Sequence, residues 1–274
     1  MSAPQLTDPA ALARNRQRAT RAPELFLHDL VADEVQDRLV EVNRTFTDMA
    51  VVTAFPQVWQ PRLPGARMVA EGEVLDLAPG SQDLVVHALA LHWANDPVGQ
   101  IIQCARALRP DGLFIAALFG GQTLAELRAV LAEAEAALTG GLSPRVLPMG
   151  EIRDLGALLQ RAGLALPVAD SLVQKASYRD ALHLMHELRA MGEGNALHGR
   201  LRRFTARGVM ARAAALYADH YPDAGGRIRA TFELVFLTGW KPHDSQQKPL
   251  RPGSAAQRLA DALNVDEGVL PQRG

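Results

Sequence analysis

The sequence predicts an open, mostly parallel α/β sheet with a helical insertion ahead of its last strand. Three observations carry this. Residues 81–91, "SQDLVVHALAL", hold a continuous apolar run of strand length, the pattern of a parallel strand covered on both faces. A helix-period segment follows, and then a second apolar run, "LFIAALF", at residues 113–119. Strand, helix and strand in that order form a right-handed βαβ unit and commit both strands to one parallel sheet.

Each element has its local reason. "TDMAVVTAFPQVW", residues 47–59, reads as a short buried strand from Met49 running into a turn closed by Pro56. Asp96-Pro97 supplies an N-cap and a first-turn proline, and Val98, Ile101, Ile102, Ala105 and Leu108 recur at helical spacing until "RPDG" stops the helix. Thr123 and Glu126 have the spacing of a capping box before Leu127, Val130, Leu131, Ala134 and Leu138. Gly140-Gly141 ends that helix as a left-handed cap, and a third helix closes at Gly163. "ALPVADSLVQKASY" is expected as a strand, residues 179–221 as the helical insert, and "TFELVFLTGW", residues 231–240, as the final strand. The expected organisation is an N-terminal helical arm over residues 1–45, a main domain over 46–240 and a C-terminal loop and tail over 241–274.

Composition narrows the function classes. A chain of 274 residues, 48% hydrophobic, buries a full core. A net charge of -1 gives no overall pull toward nucleic acid, which is discounted as a partner. The single Cys104 leaves no disulfide framework or multi-cysteine metal site, and no stretch reaches the length of a membrane span. With no secretory signal evident, a cytoplasmic location is expected. Arg14, Arg16, Arg18 and Arg21 have the spacing of a transit peptide, yet Asp8 and the acidic residues behind them favour a solvated helical arm.

In open α/β sheets ligands sit beyond the carboxyl ends of the strands. The candidate cleft therefore includes Thr53 and Ala54, Glu71 and Gly72, Ala88 and Leu89, His92 and Trp93, and Gly120 and Gly121. Glu71 reads either as a pocket edge or as a surface carboxylate ahead of a strand. His92 and Trp93 read as a pocket wall or as a core aromatic beside a satisfied histidine, and the two glycines as a site or as a tight turn. His183 and His186 have helical metal-ligand spacing without a visible third ligand, so no metal is expected. The arginines from Arg200 to Arg212 read as a solvated face or as a dock for an acidic surface. "KPHDSQ" is no nucleophilic triad, whose members converge from distant segments.

The run "DLVVHALALHWANDPVGQIIQCARALRPDGLFIAALFGG" resembles the second half of class I S-adenosylmethionine-dependent methyltransferases. "GGLSPRVLPM", "LRAMGEGNA" and the terminal "TGWKPHDSQQKPLRPGSA" are similar to the complex I assembly factors that are arginine hydroxylases of methyltransferase fold. This resemblance implies a Rossmann-like methyltransferase domain that takes S-adenosylmethionine as cofactor. It also implies modification of an arginine on, or chaperoning of, a peripheral-arm subunit of respiratory complex I. Thr53, Ala54, Glu71, Gly72, Ala88, Leu89 and His92 would then face the cofactor, and Trp93, Gly120, Gly121, Trp240 and His243 the substrate or partner. Two other readings stand beside this one, a non-catalytic assembly factor without the cofactor and a small-molecule or carrier-protein methyltransferase.

One stretch departs from that pattern. Where such enzymes carry a D-x-G-x-G loop, this chain reads Thr53-Ala54-Phe55-Pro56; proline fixes φ and removes a donor, and Phe55 adds bulk. The stretch from there to Glu71 is too short for the usual helix, strand and acidic ribose ligand, which points to a deletion. No catalytic residue is assigned from the sequence.

Overall fold

The apolar runs assemble into one sheet in a computed structural model that describes residues 5–246. The chain divides into two units, Met1–Pro242 and His243–Gly274. The first begins with two helices, α1 (Pro9–Ala19) and α2 (Phe26–Val42). Strand β1 (Met49–Val52) and the one-turn α3 (Pro56–Trp59) lead to β2 (Arg67–Val69) and β3 (Gln82–Ala88). A 3₁₀ turn (Leu91–Trp93) precedes α4 (Pro97–Ala107) and β4 (Leu108–Phe119). Next come α5 (Ala125–Thr139), α6 (Ile152–Arg161), β5 (Ala165–Tyr178), α7 (Ala181–Ala190) and α8 (Arg207–His220). The two-residue β6 (Pro222–Asp223) and the long β7 (Arg227–Trp240) complete the unit.

The sheet order is β2-β1-β3-β4-β7-β5, with β6 paired to β7. β2, β1, β3 and β4 run parallel, and β7 is antiparallel to both of its neighbours. Alternate residues of the central strands enter two cores. Val51, Leu84, Val86 and Ile115 pack with α2, α5, α7 and α8, while Val52, Val85, Phe114 and Leu118 pack with α4 and α6. Burial on both faces is why these strands read as unbroken apolar runs.

The stretch that the sequence reads as too short for a helix and a strand holds both, in reduced form. Between β1 and β2 the chain makes only the one turn of α3, and β2 pairs directly with β1, Val52 beside Val69. Phe55 and Trp59, both wholly buried, fill the space at that junction.

Several local expectations are corrected. "RPDG" is not a turn between helix and strand: it lies within β4, where the pairing slips between Gln82 and Leu84 and Asp111 adopts a φ of 63°. The capping box does not form, because Leu124 takes the cap position in a left-handed conformation. Thr123 and Glu126 bind β7 instead: Thr123 Oγ1 accepts from Glu233 N at 3.0 Å, and Glu126 accepts from Thr231. The N-terminal arm is not solvated, since Leu27, Val31, Ala32 and Val35 of α2 lie in the main core and Arg16 of α1 is 6% exposed. Among the described residues no helix is long and apolar enough to cross a membrane.

Gly120, which follows β4, lies against β7. A Cβ there would fall 2.7 Å from Val235 Cγ2 and 2.8 Å from the Glu233 carboxyl carbon. Overpacking of this kind destabilises by roughly 1–3 kcal/mol. Gly120→Ala should therefore lower the urea midpoint with an unchanged m-value, and an unaltered midpoint would show that β7 yields without strain.

Candidate functional site

The carboxyl ends of β1, β2 and β3 open into a cavity of about 670 Å³, whose far wall is α1. Thr53, Ala54, Glu71, Gly72 and Trp93 line it. A second cavity, of about 510 Å³, lies between α5, the 145–149 segment, α7 and α8, with Phe119, Trp93 and Glu193 in its wall. Trp93 borders both.

The partition between the cavities is built around Arg16. Its Nε donates to Glu71 Oε1 at 2.9 Å and Nη2 reaches Glu71 Oε2 at 3.5 Å. Nη1 donates to Glu193 Oε1 at 2.6 Å and to the Met191 carbonyl at 3.1 Å, and Nη2 to the Leu89 carbonyl at 3.2 Å. The other oxygen of Glu193 accepts from Trp93 Nε1 at 2.7 Å and faces His92 Nε2 at 3.2 Å. The Arg16 guanidinium also lies 5.7 Å from the centre of the Phe55 ring.

Burial sets the protonation here. It raises the Glu193 carboxyl, but Arg16, His92 and Trp93 outweigh it and hold the group well below the usual carboxylate range. Burial likewise lowers Arg16, and the two carboxylates more than reverse this. His28, edge-on to Phe55 at 4.7 Å between ring centres, is pushed down to about 3 by burial and by the Arg16 charge. His87, whose Nε2 contacts Gln100 Oε1 at 2.8 Å, falls to about 4 through burial.

The turn after β1 is closed on itself. Phe55 N donates to Thr53 Oγ1 at 3.1 Å, and Pro56 has no N–H.

Known proteins are similar to this chain in sequence. Residues 37–116 match the family model described as a methyltransferase domain. The arginine-hydroxylase NDUFAF5, mitochondrial, of Danio rerio is 39% identical over 203 residues, covering 74% of this chain and 63% of that protein. Its Homo sapiens namesake is 39% identical over 212 residues, 77% of this chain and 61% of the relative. A malonyl-[acyl-carrier protein] O-methyltransferase of Laribacter hongkongensis is 36% identical over 188 residues, 69% of this chain and 61% of that enzyme.

Residues 37–116 form a methyltransferase domain. The chain spans about three-fifths of the length of these curated relatives. The expected cytoplasmic location is corrected, because the arginine-hydroxylase relatives are named as mitochondrial proteins.

Class I methyltransferases use S-adenosylmethionine, and in this methyltransferase-like chain the cavity has the position and size for such a ligand. The residues as arranged do not fit it. Both oxygens of Glu71 face Arg16, and the turn offers neither glycine nor an unpaired amide at Phe55.

The other residues that the sequence marks as candidates divide by position. Gly72 presents its carbonyl to Gln100 Nε2 at 2.8 Å. Ala88 lies inside the main core, whereas Leu89 contributes its carbonyl to Arg16. His92 packs on Phe119 at 4.8 Å between ring centres. Gly120 follows Phe119 but is held against β7, and a Cβ on Gly121 would meet Glu151 Oε1 at 2.6 Å. Trp240 is corrected: the antiparallel β7 pairs it with Leu113, at the end of the sheet opposite the cleft, where Arg44 lies 5.8 Å from its ring. His243 belongs to the second unit, with Nδ1 2.7 Å from Ser245 Oγ, and residues 247–256 of the closing loop lie outside the described residues. Among the described residues no cluster of three metal-ligating side chains occurs.

Two residues of the site, Arg16 and Glu193, are not marked by the sequence. Glu193 sits inside the "MGEGNA" stretch, which points to the place without naming the side chain. Arg16 has no local signal that separates it from Arg14 and Arg18.

His28 gives the site a pH signature. Its neutral form is kept in the folded chain while the unfolded chain protonates near 6.5, so stability is lost as pH falls from 6.5 toward 3. The slope is up to about 1.4 kcal/mol per pH unit for one such group. His28→Phe should make the urea midpoint fall less between about pH 7 and about pH 5, with His87 carrying the rest. An unchanged slope would refute the assignment to His28.

Proposed function

We propose that this protein serves the assembly of respiratory complex I, holding a segment of a peripheral-arm subunit in its second cavity. The observation that carries this reading is the apolar lining of that cavity, from Leu127, Leu131, Met149 and Met185 to Phe204, which is fully exposed at 102%. Exposed apolar surface beside a cleft is characteristic of a partner-binding site. The similarity to the arginine-hydroxylase relatives supports the same partner class, and Arg145, fixed by Glu135 at 2.6 Å and Thr205 at 2.9 Å, adds a cation at the wall. Methylation of a carrier protein is the weaker alternative, resting on a relative with lower identity over a shorter span.

Within this reading the protein either modifies the bound subunit or chaperones it. The engagement of Glu71 by Arg16 and the closed turn at Phe55 favour chaperoning without cofactor chemistry. Isothermal titration of the folded chain with S-adenosylmethionine, checked against S-adenosylhomocysteine, separates the two. No heat of binding is expected, and micromolar affinity would return the reading to an enzyme.

Phe204→Asp tests the partner site. It should cut co-purification of complex I subunits several-fold, while its melting temperature stays that of the wild type, since an exposed side chain contributes little to stability. Undiminished co-purification would overturn the placement of the partner.

A further inference from the structure

The arginines from Arg200 to Arg212 do not share one role. Arg200 and Arg202 are spent on Asp8, at 2.8 Å and 3.5 Å. Arg203 and Arg207 have no ion pair among the described residues, and neither has Arg189 in the last turn of α7. Arg189 and Arg203 are exposed and line the second cavity. Arg207 is the first residue of α8, one turn ahead of Met210 in the same wall, and residues so spaced share a helix face. Among the described residues Glu193 is the only carboxylate of that lining, and its two oxygens already serve Arg16, Trp93 and His92.

The segment that carries these cations is held in place. Arg145 gives Nε and Nη2 to Glu135 and Nη1 to Thr205 Oγ1 at 2.9 Å, which pins the 203–205 stretch to the wall at 145–149. Phe204 is thereby presented outward, and the exposed Leu138 lies beside the start of α8, its Cδ1 3.8 Å from where a Cβ on Gly208 would fall. Inside the cavity stand Met149, Met185 and Met210, whose unbranched thioethers adapt to the shape of what enters. The positive end of α8 adds to the field: its first turn holds no acidic residue and no side chain caps it, so the helix dipole and Arg207 act together. An apolar concavity bordered by cations without counter-ions fits a ligand that is apolar at its centre and anionic beside it. A flat bilayer face would leave the concavity of about 510 Å³ unfilled, whereas a protruding side chain would fill it.

We propose that the segment received by the second cavity is an acidic peptide, with an apolar side chain seated among the methionines and carboxylates beside it paired with Arg189, Arg203 and Arg207. This rests on the protein-partner reading of the proposed function and adds to it the charge of the partner segment. Cations at the border of an apolar site set the choice of partner and the rate of encounter more than raw affinity, and salt screens them.

The test is fluorescence anisotropy of the full chain with labelled synthetic peptides that carry a leucine and a phenylalanine at the centre, flanked by glutamates, by glutamines or by lysines. The glutamate peptide should bind at least about tenfold more tightly than the glutamine peptide, and the lysine peptide should not bind. That preference should shrink several-fold between about 0.05 M and about 0.5 M salt. Arg203→Gln with Arg207→Gln should remove most of it at an unchanged melting temperature, since both side chains are exposed, whereas Arg153→Gln on the exposed side of α6 should leave it intact. Equal binding of the three peptides, or binding of none, would overturn the acidic segment. Binding of phosphatidylglycerol vesicles that the glutamate peptide does not compete away would also overturn it, making the patch a lipid surface. Glutamate-peptide binding by a chain that co-purifies no complex I subunit would overturn the proposed function alone. Co-purification that Phe204→Asp cuts, and that Arg203→Glu with Arg207→Glu leaves intact, would overturn the acidic segment alone.

Discussion

The Glu71–Arg16–Glu193 cluster, with Arg16 and the Glu193 carboxylate buried and Glu71 partly so, dictates how the segments around it are placed. Taking three charges out of water costs several kcal/mol per ion, and mutual attraction offsets this only where hydrogen bonding is complete. Here every guanidinium N–H has an acceptor, and the second oxygen of Glu193 is met by Trp93 and His92. That requirement fixes the end of β2, the tip of β3, the 191–193 turn and α1 relative to one another. Burial keeps His28 neutral, and the Arg16 charge adds to the effect. Gly192 belongs to the same arrangement: at a φ of 77° a Cβ would sit 2.9 Å from Arg16 Cδ, so the chain passes under the arginine only with glycine at that point.

A second constraint acts on the sheet. The crossover from β1 to β2 contains one helical turn, α3, and β2 pairs with β1 at the edge of the sheet. Phe55 and Trp59 are wholly buried at this junction, and the turn bonds to itself through Thr53 and Phe55. The consequence is chemical as well as steric, because the Phe55 amide is spent within the turn and Pro56 has none to offer. The cavity that remains is bounded by apolar groups, by Thr53, Asn95, Gln100 and Glu73, and by Glu71 already paired with Arg16.

The two features reinforce each other. A bare Glu71 at the end of β2 would be available to a ligand hydroxyl or amine; with α1 in place it is the counter-ion of a side chain more than fifty positions earlier in the chain. Two cavities open at and beside the strand ends. What stands between them is a polar wall supplied in part by the N-terminal helix.

Strands, the βαβ unit and most helix ends were legible in the amino-acid order. Strands buried on both faces must be apolar throughout, and Asp96-Pro97, Gly140 and Gly163 act through contacts within a few residues. The cleft was legible as well, since Thr53, Ala54, Glu71, Gly72 and Trp93 follow from where strands end. The meeting of charges was not. Nothing near Arg16 distinguishes it from Arg14 or Arg18, and its partners lie 55 and 177 positions away. Thr123 and Glu126 show the same limit: they have capping-box spacing, yet β7 offers them better-placed partners than their own helix does. Trp240 was misplaced because strand direction, which carries it away from the cleft, is set by pairing with β4 and β5 and leaves no trace in local sequence. Local chemistry writes periodicity and caps into a sequence, whereas the pairing of buried charges is settled only when distant segments pack.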